Sequence, residues 1–292
     1  MPYDDWGYAP ARHARRAPQT RRRVLFWLAA ALFVAAAVGL GIFLTDRMVV
    51  PFMESGAAQT QRAGSQSVLV TMPPGETGQS VTEKIEIPAW TIYGVQVGAY
   101  NVQENAQSAA DALKPIGGAG YIVEDGMKRV LAAGFASEQD AKTVGAQLHG
   151  AKDMYTEVYP LSCGALAFKM TATKTHIEAV RAALSAWKGY VDEAEQIVRA
   201  LDSGQATGEE TQARLGALQE KLAGTAAQLH ALPGSVGNDF TSALYKMYAS
   251  AAETAGVIAK ETVRQGEPSA RVKALQLDMA WQYRLLVQTL AQ

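Results

Sequence analysis

WTIYGVQVGAY (90–100), NVQENAQSAADALK (101–114), GYIVED (120–125), MKRVLAAGF (127–135), SEQDAKTVGAQLHG (137–150) and MYTEVYPL (154–161) succeed one another in the middle of a 292-residue chain. β-Branched and aromatic residues dominate the first, third, fourth and last segments, which predicts strands. The other two space their apolar residues for helices, and Pro115 with the GGAG turn closes the first of them. Asp125-Gly126 supplies a tight turn between the two middle strands. Asn101 with Glu104, and Ser137 with Asp140, pair a capping side chain with an acid three residues on, which predicts where the helices begin. The order is β-α-β-β-α-β, an α+β unit spanning residues 89–162.

Side chains alternate between the two faces of a strand, so the order also predicts which residues lie away from the helices. Val95 and Val97 share the helix-facing side, which leaves Gln96 on the other. By the same count Val130 and Ala132 turn inward while Arg129 and Leu131 turn outward. In the last strand Thr156 and Val158 face the helices, leaving Tyr155, Glu157 and Tyr159 on the helix-free face, where Tyr121 joins them. An amide, a guanidinium and phenol rings on one surface suit a sugar ligand. Gln96 offers paired donors and acceptors to hydroxyl and N-acetyl groups, and aromatic rings lie against the apolar faces of pyranoses. A tyrosine on an open sheet face is equally explained as a strand former, and Arg129 as a solvated charge.

VQVGAY (95–100) and RVLAAGFAS (129–137) are similar to the two signature segments of the SPOR domain, the sporulation-related repeat of bacterial envelope proteins. The resemblance covers about a quarter of the chain. It implies a ferredoxin-like, RNP-like βαββαβ fold and binding of peptidoglycan, in particular glycan strands stripped of their stem peptides. Gln96, Arg129, Tyr121, Tyr155 and Leu131 are the implied binding residues, with Arg129 positioned for the lactyl carboxylate that stem-peptide removal exposes. The sequence departs from the family pattern at Ala99 and Tyr100, at Ala133 and Gly134, and at Leu131, which stands where a polar residue is more usual.

On the N-terminal side, residues 24–45 (VLFWLAAALFVAAAVGLGIFLT) form 22 positions without a charge. As a helix they span roughly 33 Å, the thickness of a bilayer core. A shorter apolar run nearer the start would mark a cleaved signal instead. The first 23 residues carry six arginines against two aspartates, a net +4, and Asp46 and Arg47 cancel after the span. The positive-inside rule then predicts a cytoplasmic tail, a single-pass anchor and an exported remainder with a net charge of −5. Residues 46–88 read as a flexible linker, of which 54–88, rich in Gly, Ser, Gln, Thr and Pro, has a reach of about 30–35 Å.

Beyond the α+β unit, residues 163–292 show heptads and capping signals. Ile177, Leu184, Val191 and Val198 recur every seven residues, and Val180, Trp187, Ala194 and Leu201 form the companion row. Thr175 with Glu178 predicts one helix start and Thr207 with Glu210 another. Leu215, Leu218, Leu222 and Leu229 mark the second helix; Phe240, Leu244, Met247 and Ile258 mark the third; Val272, Leu275, Met279 and Leu286 mark the fourth. Four amphipathic helices with short connections predict an all-α up-and-down bundle.

A whole-chain net charge of −1 and a pI of about 6.4 give no general attraction to nucleic acid. The single cysteine, Cys163, has no partner for an intrachain disulfide. His13, His149, His176 and His230 fall in separate segments without metal-ligand spacing, and there is no phosphate loop or nucleophile elbow, so no metal, cofactor or catalytic residue is expected. The expected function is peptidoglycan binding by a membrane-anchored SPOR protein at the division septum or during sporulation. The bundle would then act as adaptor for an envelope or division protein. The competing readings are a SPOR-targeted peptidoglycan hydrolase and a passive spacer between membrane and wall.

Overall fold

A computed structural model describes residues 69–71, 79–152, 154–232, 239–261 and 268–290. The expected tail (1–23) and membrane span (24–45) lie outside the described residues. Among the described residues no helix is long and apolar enough to cross a membrane. All of them belong to one compact unit.

The βαββαβ order forms as the pattern predicts. Strands β3 (Trp90–Tyr100), β4 (Tyr121–Asp125), β5 (Met127–Phe135) and β6 (Glu157–Cys163) make an antiparallel sheet in the order β4-β5-β3-β6. Helices α1 (Gln103–Leu113) and α2 (Glu138–Lys152) cover one face. Their alanines, Ala106, Ala110 and Ala141, meet Val95, Val130, Ala132 and Phe135 there in a small core. Gly120 has φ +56, and a Cβ on it would lie 2.3 Å from the Ala110 carbonyl oxygen, so this close approach of chain to helix needs glycine. Gly126, at φ +69, closes the β4–β5 turn.

The two predicted caps fare differently. Ser137 Oγ accepts from the Asp140 backbone N–H at 3.3 Å, opening α2. The residue before α1 is Val102, with extended backbone and no side-chain cap, so the Asn101/Glu104 box does not form.

Two further strands lie where none is expected. Residues 80–87, read as the end of a linker, are strand β2 (Ser80–Ile87), and residues 166–173, read as the start of the helical region, are strand β7 (Leu166–Thr173). They pair antiparallel from Ser80↔Thr173 to Ile87↔Leu166, and β3 pairs β6 from Trp90↔Cys163 to Gln96↔Glu157 in the same register. The four segments thus form one long ribbon, bent where Pro88-Ala89 lies opposite Gly164-Ala165. Pro88 has no N–H to donate, which favours the break at this point. A short strand β1 (Leu69–Thr71) adds parallel to β7. Ile85, Ile87, Leu166, Phe168, Met170 and Ala172 line the inner side of the extension and are buried against the helices.

The ribbon runs directly into the four-helix part: α3 (Lys174–Asp202), α4 (Gly208–His230), α5 (Asp239–Glu261) and α6 (Pro268–Leu290). Each packs on its neighbour in sequence and α3 packs on α6, giving the predicted bundle. The heptad rows of α3 are buried from Ile177 to Val198. Trp187 donates its indole N–H to the Met279 carbonyl at 3.1 Å, and Tyr248 donates to the Ala183 carbonyl at 2.6 Å, so both large rings are satisfied inside the core. The capping box of Thr207 and Glu210 forms as predicted. At α3 the cap is Thr173, not Thr175: its hydroxyl accepts from the His176 N–H, because β7 delivers the chain two residues earlier than the pattern suggests.

Candidate functional site

Strand parity places Gln96 and Leu131 opposite each other on the sheet face away from α1 and α2. Two compensating irregularities flank Gln96: Val95 pairs Ala133, Gln96 pairs Leu131 and Gly98 pairs Val130, so each strand carries one extra residue and the alternation recovers.

That face is not open. Helix α6 lies across it, touching β4, β5 and β6. Leu131 is 0% exposed and Gln96 only 4%; Tyr159 is buried, and Tyr121 and Arg129 are half-buried. Only Tyr155, 69% exposed, and Glu157 remain well exposed among the residues expected there. The expectation of an uncovered platform is therefore corrected, most sharply for Leu131, which is core and touches no solvent.

Gly134 explains how a helix comes so close. A Cβ at this position would lie 2.8 Å from Leu277 Cδ2 and 2.9 Å from Ile92 Cγ2. The departure from the family pattern at Gly134 is thus the seat of α6. The helix meets the sheet side through a second row: Lys273, Leu277, Ala280, Arg284 and Val287. Lys273 donates to the Gly117 carbonyl at 2.8 Å, the Ala280 carbonyl accepts from the Cys163 thiol at 3.5 Å, and Val287 lies against Gly164. Beside this row, the Tyr283 ring lies 5.2 Å from that of Trp90. Its bundle row is the predicted one of Val272, Leu275, Met279 and Leu286, so α6 is apolar on two sides and serves both layers.

Uncovering this surface would expose Ile92, Leu131, Leu161, Leu277 and Tyr283. At about 1.5–3 kcal/mol for each large side chain, the cost is on the order of 10 kcal/mol, comparable with the whole stability of a domain. The contact is core and not a reversible lid.

Polar contacts fix the same junction. Glu195 of α3, itself buried, accepts from the Ala136 backbone N–H at 2.9 Å and from Arg199, which also pairs with Asp140 of α2. Tyr121 donates to Asp278 Oδ1 at 2.8 Å. Burial pushes the Asp278 carboxyl above its ordinary range, only partly offset by hydrogen bonds from Tyr121 and Gln282, and burial likewise pushes the Tyr121 phenol well up. A raised carboxyl pKa means that folding takes up a proton here, so the contribution of Asp278 becomes more favourable as pH falls from neutrality toward the unfolded pKa of about 3.8. Asp278→Asn keeps an acceptor for Tyr121 and removes the charge. Its thermal midpoint should equal or exceed that of the parent chain at pH 7, with the difference shrinking toward pH 4; a clear loss at pH 7 would contradict this account.

Where α6 leaves the sheet, a polar and aromatic strip runs from the buried Gln96 and Tyr159 to the half-buried Asp125, Arg129, Trp281 and Arg284. Arg129 donates from Nη1 to Gln96 Oε1 at 2.9 Å, and its guanidinium lies 5.0 Å from the centroid of the Tyr159 ring. The Gln96 amide in turn faces Glu157 Oε2 at 3.4 Å. Tyr159 donates to Asp125 Oδ2 at 2.5 Å, and Arg284 reaches both Tyr159 Oη and Asp125 Oδ2 at 3.3 Å while lying 5.3 Å from the Trp281 ring. The Tyr159 hydrogen bond, aided by Arg284 and Arg129, holds the Asp125 carboxyl below its ordinary range, so it stays ionised at neutral pH. Burial, then the Asp125 contact, raises the Tyr159 phenol.

Among the described residues no group of His, Cys, Asp and Glu is placed to hold a metal ion. His149, His176 and His230 sit on α2, α3 and α4; His13 lies outside the described residues. Burial pushes the Cys163 thiol up to about 12, which keeps it protonated and unreactive.

Residues 91–158 match the family model of the SPOR domain, a peptidoglycan-binding module. The match coincides with the βαββαβ unit and leaves out the ribbon extension and all four bundle helices. Comparison of the chain with curated proteins and with solved structures gives no match.

Proposed function

We propose that this chain binds peptidoglycan glycan strands from the outer side of a membrane, anchored by residues 24–45 with the basic tail in the cytoplasm. The observation that carries the reading is the half-buried Arg129, held by the buried Gln96 and lying over the buried Tyr159 ring, inside the region that matches the SPOR domain. The Arg129 guanidinium provides hydrogen bonds for a carboxylate group, and the exposed Tyr155 ring provides a face for a sugar. A site of action at the division septum or during sporulation, and an adaptor role for the bundle toward an envelope protein, complete the proposal. Tyr155 flanks the array as an exposed ring.

Sedimentation with purified sacculi tests the reading. The full chain in detergent should pellet with sacculi, more strongly after an amidase has stripped their stem peptides. Arg129→Ala and Gln96→Ala should each weaken binding by about tenfold, the scale of one lost charge-assisted hydrogen bond. Unchanged pelleting by both variants would remove this array from the site.

A further inference from the structure

Since α6 is core, the surface left for a ligand is the strip at its edge, and half of that strip comes from α6 itself. The geometry points to a composite site in which Arg284 and Trp281 of α6 contact the glycan together with Arg129 of the sheet, which Gln96 holds in place. The inference rests on the peptidoglycan reading above and extends it beyond the SPOR region.

Three features of the strip carry the inference. First, it repeats one unit across the junction: a guanidinium over an aromatic ring, Arg129 on Tyr159 and Arg284 on Trp281, with Asp125 between them. The half-buried Trp281 offers a ring to one sugar, while Tyr159, buried beneath Arg129, holds that guanidinium at the strip for the polar edge of the next. Second, Arg129 is half-buried and donates to the protein from Nη1 to Gln96, so part of its guanidinium remains at the surface. Third, the charges balance: Arg129 and Arg284 stand against Asp125 and Glu157. A balanced strip has no field to gather polyanions, so recognition rests on local hydrogen bonds and stacking and should tolerate salt. The ligand class is an amino-sugar chain with isolated carboxylates, as distinct from a densely charged wall polymer.

The test uses the full chain in detergent with soluble glycan fragments released from amidase-treated sacculi. Arg284→Gln should bind about tenfold more weakly while its thermal midpoint stays close to that of the parent chain. Of the five tryptophans, Trp6 and Trp27 lie outside the described residues, Trp90 and Trp187 are buried and Trp281 is half-buried, so the part of the acrylamide quenching that glycan suppresses in the parent chain should be lost in Trp281→Phe. The tryptophan readout decides the matter even if Arg284→Gln unfolds. Parent-like affinity of Arg284→Gln, or quenching protection that survives in Trp281→Phe, would overturn the composite site, and if Arg129→Ala still lost binding the peptidoglycan reading would stand. Failure of the parent chain to bind sacculi at all would overturn both. Binding that vanishes between low and moderate salt would contradict the balanced-charge argument and favour adsorption to a charged polymer.

Discussion

Leu131→Asp is expected to lower the thermal midpoint by about 6–20 °C. On a sheet face open to water, an aspartate here would be nearly neutral, and next to Arg129 even welcome. Beneath α6 the same carboxylate is placed at a position with no solvent exposure, opposite Gln96, against Gly94 and in one apolar cluster with Leu277 and Ile92. Burying an unpaired charge and losing the packing of a leucine together cost about 3–5 kcal/mol, and a domain of this size loses about 2–4 °C per kcal/mol. Thermal unfolding followed by circular dichroism reads the effect. A midpoint within about 2 °C of the parent would mean that α6 does not cover the sheet.

The second large effect concerns dissection. Residues 79–163 contain the whole region that matches the SPOR domain, yet as a fragment they would show Trp90, Ile92, Leu131, Leu161 and Cys163 to water on one sheet face. A contiguous apolar patch of this kind drives association. The fragment is therefore expected to aggregate or to bind an apolar dye such as ANS, whereas residues 79–290 remain soluble and unfold in a single transition. Dye binding and size-exclusion chromatography separate the outcomes. A monomeric, dye-silent fragment with a cooperative melt would show that the two halves are independent domains.

The covered face shows where sequence reading succeeds and where it stops. The βαββαβ order, the four bundle helices and the parity of Gln96, Arg129 and Leu131 follow from local periodicity, because each depends on neighbours within one turn or one strand. Strand β7 carries the same kind of signal: in LAFKMTAT the buried Leu166, Phe168, Met170 and Ala172 alternate with Ala167, Lys169, Thr171 and Thr173. Its partner β2, with its alternating Val81, Glu83, Ile85 and Ile87, is masked by a Gly- and Pro-rich neighbourhood that reads as linker. The seat of α6 is harder to see. Its bundle row accounts for one apolar stripe, and the second row is broken at Lys273 and Arg284, so it reads as a solvated face. What that row meets, at Gly117 and Asp125 in the α+β unit, lies more than 150 residues away in sequence. Two local hints exist: Leu131 where a polar residue is usual and Gly134 at the end of β5. Both departures acquire a physical reason only once a helix is laid across them.

The same arrangement shifts attention within the candidate site. Residues at the centre of the sheet face, Leu131 above all, hold the fold together. At its end Arg129 stays half-buried, while Gln96 and Tyr159, which hold it, are buried. On this face only the strip beside α6 remains partly exposed.

Cys163 offers the most direct measurement of whether α6 covers the sheet. It is the only cysteine in the chain, is fully buried on the covered side, and donates its thiol to the Ala280 carbonyl of α6. Labelling of the full chain with a thiol reagent at mildly alkaline pH therefore reports the contact without any substitution. The account predicts negligible labelling in native buffer, with a rate that rises only as denaturant unfolds the whole unit. Labelling in native buffer at a rate near that of the unfolded chain would show that the helix does not sit on the sheet.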